Sequence, residues 1–553
     1  MRAKVYALAL CLVVIALALG GILLRFFLSS GTPMPEAAPA RLIPNTDVNP
    51  YGANFFLARE VEEWKREKTV KMAAEAGIGW AKQQFPWAEI EPRKGELSWE
   101  KYDHIVELCQ RYGLQIIARL DRPPDWSRQD NSIPEAPPDD FEDYGDFVYH
   151  FVRHYRGRIR YIQIWNEPNI FPEWGNRPVD PADYVKLLKI AYRRAKEADP
   201  NVYVLSAPLA ITLGEPHPEP GKWRSMNDLD FLEGMYRAGA KDYFDILSAN
   251  AFGFDRPPDD PPDPQVLNFS RVLLQREIMK RYGDADKPIW FNEYGWNAAP
   301  EDFPPEKLIW GRVSEEKQAE YLLRGIELAR AQWPWAGVFN IWYFRQVGNI
   351  TPDEAEYYFR MVDVDFTPRR VYYAVKDAAA ALKVAGPGHY EETNPAVSIG
   401  QGWQAIIEPR ASGRACVVSD VAGTSLSFAF KGGDVDLITL RGDRAGRLYV
   451  TLDGRSVAGL PRDGEGLSYI DLHSPDAQWQ AKVPLVRGAG NGQHVLRLTV
   501  AGEGRCVVDA FEVAVAPTPS FPYSSSAFLA GALAVVSWLL GRELSRNRRR
   551  LRI

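Results

Sequence analysis

Tyr161-Ile162-Gln163-Ile164-Trp165-Asn166-Glu167-Pro168-Asn169 is a short apolar run that ends on a glutamate, and Pro288-Ile289-Trp290-Phe291-Asn292-Glu293-Tyr294-Gly295-Trp296 repeats the arrangement downstream. Each run reads as a buried β-strand with a carboxylate just past its C-terminal end. Burying such a charge among aromatics works against stability. It suits chemistry, because two facing carboxylates held in different environments can divide the roles of acid and nucleophile. A structural salt bridge or a helix N-cap is the plain alternative for each glutamate.

Working outward, eight candidate strands recur at 51–55, 78–83, 114–120, 161–165, 202–207, 244–249, 288–292 and 337–342, with longer amphipathic stretches between them. In one such stretch Asp180 is placed to cap a helix whose first residue is Pro181. Eight strands alternating with helices predict a parallel sheet closed as a (β/α)8 barrel over 49–385. A doubly wound open sheet is the structural alternative, but no glycine-rich phosphate turn follows the first strand. Pro-rich insertions at 134–140, 215–220 and 256–264 each follow a strand and precede a helix, where the loops of a barrel's catalytic face belong.

Past Asn394 the helical period ends. Alternation at 425–430, a strand at 448–452 leading into Asp453-Gly454, and alternation at 494–500 predict an all-β sandwich over 394–515. The chain has 553 residues, 46% of them hydrophobic, and 66 basic against 72 acidic residues give a net charge of -6. That balance gives no reason to expect a nucleic-acid partner. Seventeen tryptophans and 25 tyrosines favour a carbohydrate ligand, since flat rings stack on sugars. Of the histidines, only His150 and His154 have helical ligand spacing, and Phe151 stands where a zinc protease would carry glutamate. No metal and no cofactor is expected, and no nucleophile-elbow serine occurs. Asn268-Phe269-Ser270 is a glycosylation sequon in form only.

Both ends look membrane-related. Residues 1–28 carry an uncharged apolar run at 5–24 behind Arg2 and Lys4, read as an uncleaved signal anchor or a cleaved signal peptide. A second apolar segment at 527–541 precedes a tail at 542–553 with six arginines, and reads as a marginal span or an interfacial helix. The spacers at 29–48 and 516–526 read as tethers. The folded domains are therefore expected outside the cytoplasm, attached to the cell membrane. Cys416 and Cys506 bracket the sandwich and would pair in an oxidising compartment, with two buried free thiols as the alternative.

One stretch carries a family likeness. It runs through Ala76-Gly77-Ile78-Gly79-Trp80-Ala81-Lys82, Phe85-Pro86-Trp87, Ile90-Glu91-Pro92, Gly95, Trp99, Tyr102-Asp103 and Pro123-Pro124-Asp125-Trp126. Residues 49–383 resemble clan A glycoside hydrolases, in particular family 39 and its bacterial polysaccharide-degrading relatives. The resemblance implies retaining hydrolysis of a poly- or oligosaccharide, with Glu167 as acid/base and Glu293 as nucleophile. It also implies that Asn166 holds the sugar 2-hydroxyl and that Trp342 lies under the sugar ring. Lys82 stands where the clan commonly has arginine, and Asn250-Ala251-Phe252 where it commonly has His-x-Tyr, so Phe252 brings no hydroxyl to the nucleophile. Tyr294, Tyr343 and Arg345 are the candidates to substitute. Trp126, Trp174 and Trp296 are expected as sugar platforms or as packing residues. The second domain loosely resembles the β-sandwich modules of carbohydrate-active enzymes, which implies glycan binding or a spacer role. A non-catalytic glycan-binding protein on a hydrolase scaffold is the rival to the enzyme.

Overall fold

The computed structural model describes residues 2–29, 40–219, 221–348, 350–515 and 523–550. Most of the spacers expected at 29–48 and 516–526 and the end of the basic tail lie outside the described residues. The barrel strands are β1 (Tyr51–Phe55), β2 (Trp80–Pro86), β3 (Gln115–Asp121), β4 (Tyr161–Ile164), β5 (Tyr203–Leu205), β6 (Leu247–Phe252), β7 (Ile289–Gly295) and β8 (Ala336–Ile341). All pair in parallel in the order β5-β4-β3-β2-β1-β8-β7-β6. A parallel bridge from Leu205 to Ile246 brings the first and last strands together. The expected strands and the observed ones differ by a few residues at their ends. Asp180 caps its helix by accepting from Ala182 N at 2.8 Å, with Pro181 in the first turn.

Alternation along the strands sends Trp80, Ile117, Tyr161, Tyr203 and Trp290 into the lower half of the barrel. Their rings pack closely, with Trp80–Trp290 and Tyr161–Trp290 centroids both 4.9 Å apart. Tryptophan fits this layer only if its N–H is satisfied. The chain before β1 meets that need: Asn49 O accepts from Trp80 Nε1 at 2.8 Å and Asn45 O from Trp290 Nε1 at 2.9 Å. Residues 41–48, expected as the end of a tether, are therefore packed structure. Trp80, Trp87, Trp165, Trp174, Trp290 and Trp296 are fully buried. Much of the tryptophan that suggested sugar stacking is core.

The second domain is built of antiparallel strands. Gly388–Glu391, Ala510–Ala514, Asp434–Arg441 and Gln478–Val486 form one sheet; Val397–Ile399, Ser425–Lys431, Gln493–Val500 and Arg447–Leu452 lie in the other. Phe428 and Phe511 stack between the sheets at 4.4 Å. The Asp453-Gly454 turn takes φ of 50° and 75°, the left-handed pair a two-residue hairpin requires. A third sheet, Gln404–Ile407, Ala415–Ser419 and Cys506–Val508, reaches the N-terminal face of the barrel. There Ile407 packs below the aromatic layer and its N–H donates to Asn201 Oδ1 at 3.1 Å. Buried Asp47 ties the domains together, its carboxylate accepting from Glu391 N at 2.9 Å and Asn394 Nδ2 at 2.8 Å.

The expected Cys416–Cys506 disulfide is not formed; both thiols are free and buried. Cys506 lies opposite Ser419 in the ladder, three positions from Cys416. That offset is roughly 10 Å along the strand, beyond the reach of about 7 Å between Cα atoms. An odd offset also turns the side chains to opposite faces, and each thiol belongs to a different apolar cluster.

At the ends, helix Tyr523–Arg550 contains a stretch, Phe528–Arg546, of mean hydropathy 1.4 that is long and apolar enough to cross a membrane. Helix Arg2–Ser29 carries a shorter apolar stretch, Tyr6–Ile22.

Candidate active site

The site lies at the C-terminal ends of the barrel strands, in a cavity of about 410 Å³. Beyond β4 the chain turns through left-handed conformations at Trp165 (φ 71°) and Glu167 (φ 39°). Such values are costly for residues with a Cβ and persist where surrounding structure holds them. Here Trp165 is buried and donates to Glu173 O at 2.9 Å, and Glu167 N donates to Pro208 O at 3.0 Å. The turn places Asn166 and Glu167 side by side on the cavity wall.

Glu293 comes from β7, where a bulge shifts the register. Ala249 of β6 faces Phe291, but Asn250 faces Glu293, which leaves Asn292 as the extra residue. The bulge lets Asn292 and Glu293 both work at the site. Glu293 lines the cavity with Lys82 Nζ 3.5 Å from its Oε1. Asn292 Nδ2 donates to Asn250 Oδ1 at 3.0 Å, and Asn250 Nδ2 donates to Glu167 Oε1 at 2.5 Å. Because Asn250 Oδ1 is already used as an acceptor, its amide must present the NH₂ to Glu167.

These surroundings act strongly on the Glu167 carboxyl. Burial above all, then the charge of Glu293 and of Glu173, holds the Glu167 carboxyl well above the usual carboxylate range; Arg119 and the Asn250 hydrogen bond pull the other way. Burial pulls Lys82 down to about 8, with Glu293 as the main opposing influence. Burial likewise raises Glu173 to about 7. Asn166 is buried, and its Oδ1 has no hydrogen-bond partner among the described residues, which leaves it free to meet a hydroxyl group. Trp342 lines the cavity, set edge-on to Phe56 at 5.9 Å.

Glu167, Glu293, Asn166, Trp342 and Lys82 thus meet in one place, with Asn250 directly behind Glu167. Four expected site residues, Asn250, Tyr294, Trp296 and Trp126, do not line the cavity. Tyr294 points out of the barrel and donates to Leu322 O at 2.6 Å. Trp296 is fully buried and donates to Arg256 O at 2.7 Å. Trp126 stands edge-on to Trp87 at 5.3 Å and donates to Glu91 O at 3.0 Å. Trp174 is core as well. Neither Tyr343 nor Arg345 replaces the missing hydroxyl: Tyr343 donates to Tyr357 O at 3.3 Å, and Arg345 pairs with Glu60 and Thr69. Phe252 does line the cavity, as an apolar wall beside Trp310.

Sequence reasoning missed Arg59, Arg119, Arg122, Glu173, Trp310 and Glu356, all of which line the cavity. Arg119 offered a signal, being a charge within an apolar strand. Its guanidinium pairs with Asp121, which in turn accepts from Gln84 Nε2 at 2.8 Å.

An eight-stranded parallel barrel with paired glutamates at the ends of its fourth and seventh strands is the arrangement of clan A glycoside hydrolases, and the chain resembles them in sequence too. Residues 57–140 match the family 42 glycosyl hydrolases, described as beta-galactosidase. Among solved structures, a family 39 glycoside hydrolase from Bacteroides cellulosilyticus WH2 is 18% identical, with 84% of this chain and 83% of that one covered and a TM-score of 0.46. A family 39 enzyme from Xanthomonas axonopodis pv. citri is 14% identical, with 84% and 95% covered and a TM-score of 0.45. A monomeric beta-xylosidase from Caulobacter crescentus CB15 is 13% identical, with 84% and 97% covered and a TM-score of 0.44. Comparison with curated protein sequences gave no match.

Proposed function

We propose that the protein is a retaining glycosidase acting on a poly- or oligosaccharide. The observation that carries this is the shared cavity of Glu167 and Glu293, in which one carboxyl faces an amide donor and the other an ammonium group. In the first step Glu293 attacks the anomeric carbon while Glu167 passes its proton to the departing glycosidic oxygen, giving a glycosyl ester on Glu293. In the second, Glu167 takes a proton from water, the water oxygen bonds to the anomeric carbon, and Glu293 leaves as carboxylate. Lys82 sets its ammonium beside the ionised Glu293 before attack. Asn166 accepts from the 2-hydroxyl, and Trp342 forms the platform beneath the ring. The apolar Phe252 leaves Glu293 to rely on Lys82 where relatives of the clan use a tyrosine.

The arginine-rich end of helix Tyr523–Arg550 belongs on the cytoplasmic side of a membrane, which puts barrel and sandwich outside the cytoplasm. The names of the relatives make β-galactosides and β-xylosides the first substrates to try. The test is Glu293→Gln, nearly isosteric, which should abolish turnover of any glycoside the parent cleaves without lowering the melting temperature. A 2-fluoro-glycoside of that sugar should add its mass to the peptide carrying Glu293. A label on another residue, or an active Glu293→Gln, refutes the assignment. A parent protein that binds glycans in this cavity and cleaves none is the rival binding protein, the reading that Phe252 favours.

A further inference from the structure

The cavity holds four cationic side chains, and three of them have partners. Lys82 faces Glu293 at 3.5 Å, Arg119 pairs with Asp121, and Arg122 with Glu135 at 2.6 Å. The fourth, Arg59, follows β1 in a single 3₁₀ turn, Leu57–Arg59. Among the described residues its guanidinium makes no ion pair and no hydrogen bond. Its Cζ lies 4.6 Å from the Phe56 ring centroid, a contact that leaves its N–H groups uncommitted. Glu356 lines the same cavity but makes no ion pair with it.

Arg59 stands exposed at the rim of the cavity, and desolvation, then the charges of Arg119 and Arg122, pulls its guanidinium below the usual range, while Glu356 and Asp121 oppose the shift without pairing with it. An anionic ligand group at Arg59 would relieve the repulsion among these three guanidinium groups. Position agrees with this. Arg59 and Ile350 line both the catalytic cavity and an adjoining groove of about 480 Å³ that runs past Gly348. A sugar extending out of the catalytic cavity would pass the free edge of Arg59. A planar guanidinium fork matches a carboxylate through two parallel hydrogen bonds, which it cannot do with a neutral hydroxymethyl group.

We propose that Arg59 receives the carboxylate of an acidic sugar, so that the substrate is a uronate-containing glycan with its charged unit bound where the catalytic cavity opens into the groove. This rests on the cavity being a glycan site, as proposed above. The experiment uses the full chain in detergent carrying Glu293→Gln, so that a bound ligand is not consumed. It is titrated calorimetrically with oligomannuronate, oligogalacturonate and hyaluronan tetrasaccharides, each beside its carboxyl-reduced form, and with a sulfated galactan oligosaccharide. At least one acidic ligand should bind roughly tenfold tighter or more than its reduced form, the difference expected for a charge-assisted bidentate pair. Adding Arg59→Gln should bring that ratio close to one, and added salt should weaken only the acidic member. Three results overturn the proposal: no acidic ligand outbinds its reduced form, the ratio survives Arg59→Gln, or the sulfated oligosaccharide is preferred over all three uronates. The two readings fail separately. Arg59-dependent binding of a uronate that the parent never cleaves ends the hydrolase assignment alone, whereas cleavage of neutral glycosides with no uronate preference ends this one alone.

Discussion

Replacing Asn250 with leucine tests how the cavity keeps Glu167 an acid. The Asn250 NH₂ points at Glu167 because Asn292 occupies the other end of the amide. A donor aimed at a carboxyl group stabilises its ionised form, so this hydrogen bond opposes the rise that burial and Glu293 impose on Glu167. Leucine fills similar space and donates nothing. A hydrogen bond to a charged group contributes about 1.5–3 kcal/mol, and a pKa unit corresponds to about 1.4 kcal/mol, so Glu167 should rise by roughly one to two units. In the proposed mechanism protonated Glu167 starts the reaction, so the basic limb of the kcat/KM profile should move to higher pH by that amount. The profile should be recorded with a poorly departing alkyl glycoside, for which protonation matters, beside an aryl glycoside that leaves readily. Asn292→Leu, which frees the amide without removing the donor, should give a smaller shift in the same direction. A limb that stays put, or moves to lower pH, would refute the argument that this amide stabilises ionised Glu167.

Other expectations concern stability and topology. Burial raises Asp509 from 3.8 to about 7, so the folded state holds a proton that the unfolded state has released; stability should fall as pH rises from about 4 to 7, and Asp509→Asn should flatten that part of the melting-temperature profile. Trp342→Ala should raise KM with little change in melting temperature. Trp296→Ala should cost about 3–5 kcal/mol of stability, and the reverse pattern would exchange their roles. Dithiothreitol should leave the melting temperature unchanged, and Cys416 and Cys506 should be alkylated only on unfolding; a destabilising effect of reductant would mean that the thiols pair. Protease added to intact cells should release barrel and sandwich, whereas survival until lysis would place them inside.

How far the sequence carried this site depends on where each residue sits. Strand parity was sufficient for Lys82, which follows Trp80 by two and so faces the same interior, whereas Glu167 and Glu293 were legible from their places at strand ends and not from parity. Counted from interior Trp290, parity would turn Glu293 outward and Tyr294 and Trp296 inward; the bulge at Asn292 reverses this, so that Glu293 faces the cavity and Tyr294 and Trp296 turn outward into the helical layer. Arg119 and Asp121 share the parity of Ile117, an interior residue, and were legible as inward charges at the top of β3. The bulge at Asn292 was not, because a register shift exists only relative to a neighbouring strand. Arg59, Trp310 and Glu356 come from irregular segments between strands and helices, where no period fixes direction. Only closure of the barrel brings them to one wall.

The position of the sandwich limits what it can do for the site. It meets the barrel at the N-terminal ends of the strands, through Ile407 beneath the aromatic layer and Asp47 between the domains. Glu167 and Glu293 are at the opposite ends, so the barrel stands between them and the sandwich. Strands of up to seven residues rising about 3.3 Å each put that separation near 20 Å. A module at the mouth would lengthen the groove and add to the binding of each substrate segment. One at the base cannot, and its evident contribution is to the interior: together with residues 41–48 it seals the open end of a barrel whose tryptophans need acceptors from outside the strands. If the sandwich also holds glycan, the strand it holds must bend around the barrel to reach its own cavity, or be delivered to the cavity of a neighbouring molecule. The second route would suit the membrane attachment proposed above, because several copies on one membrane could work on a shared polymer that no single copy needs to thread.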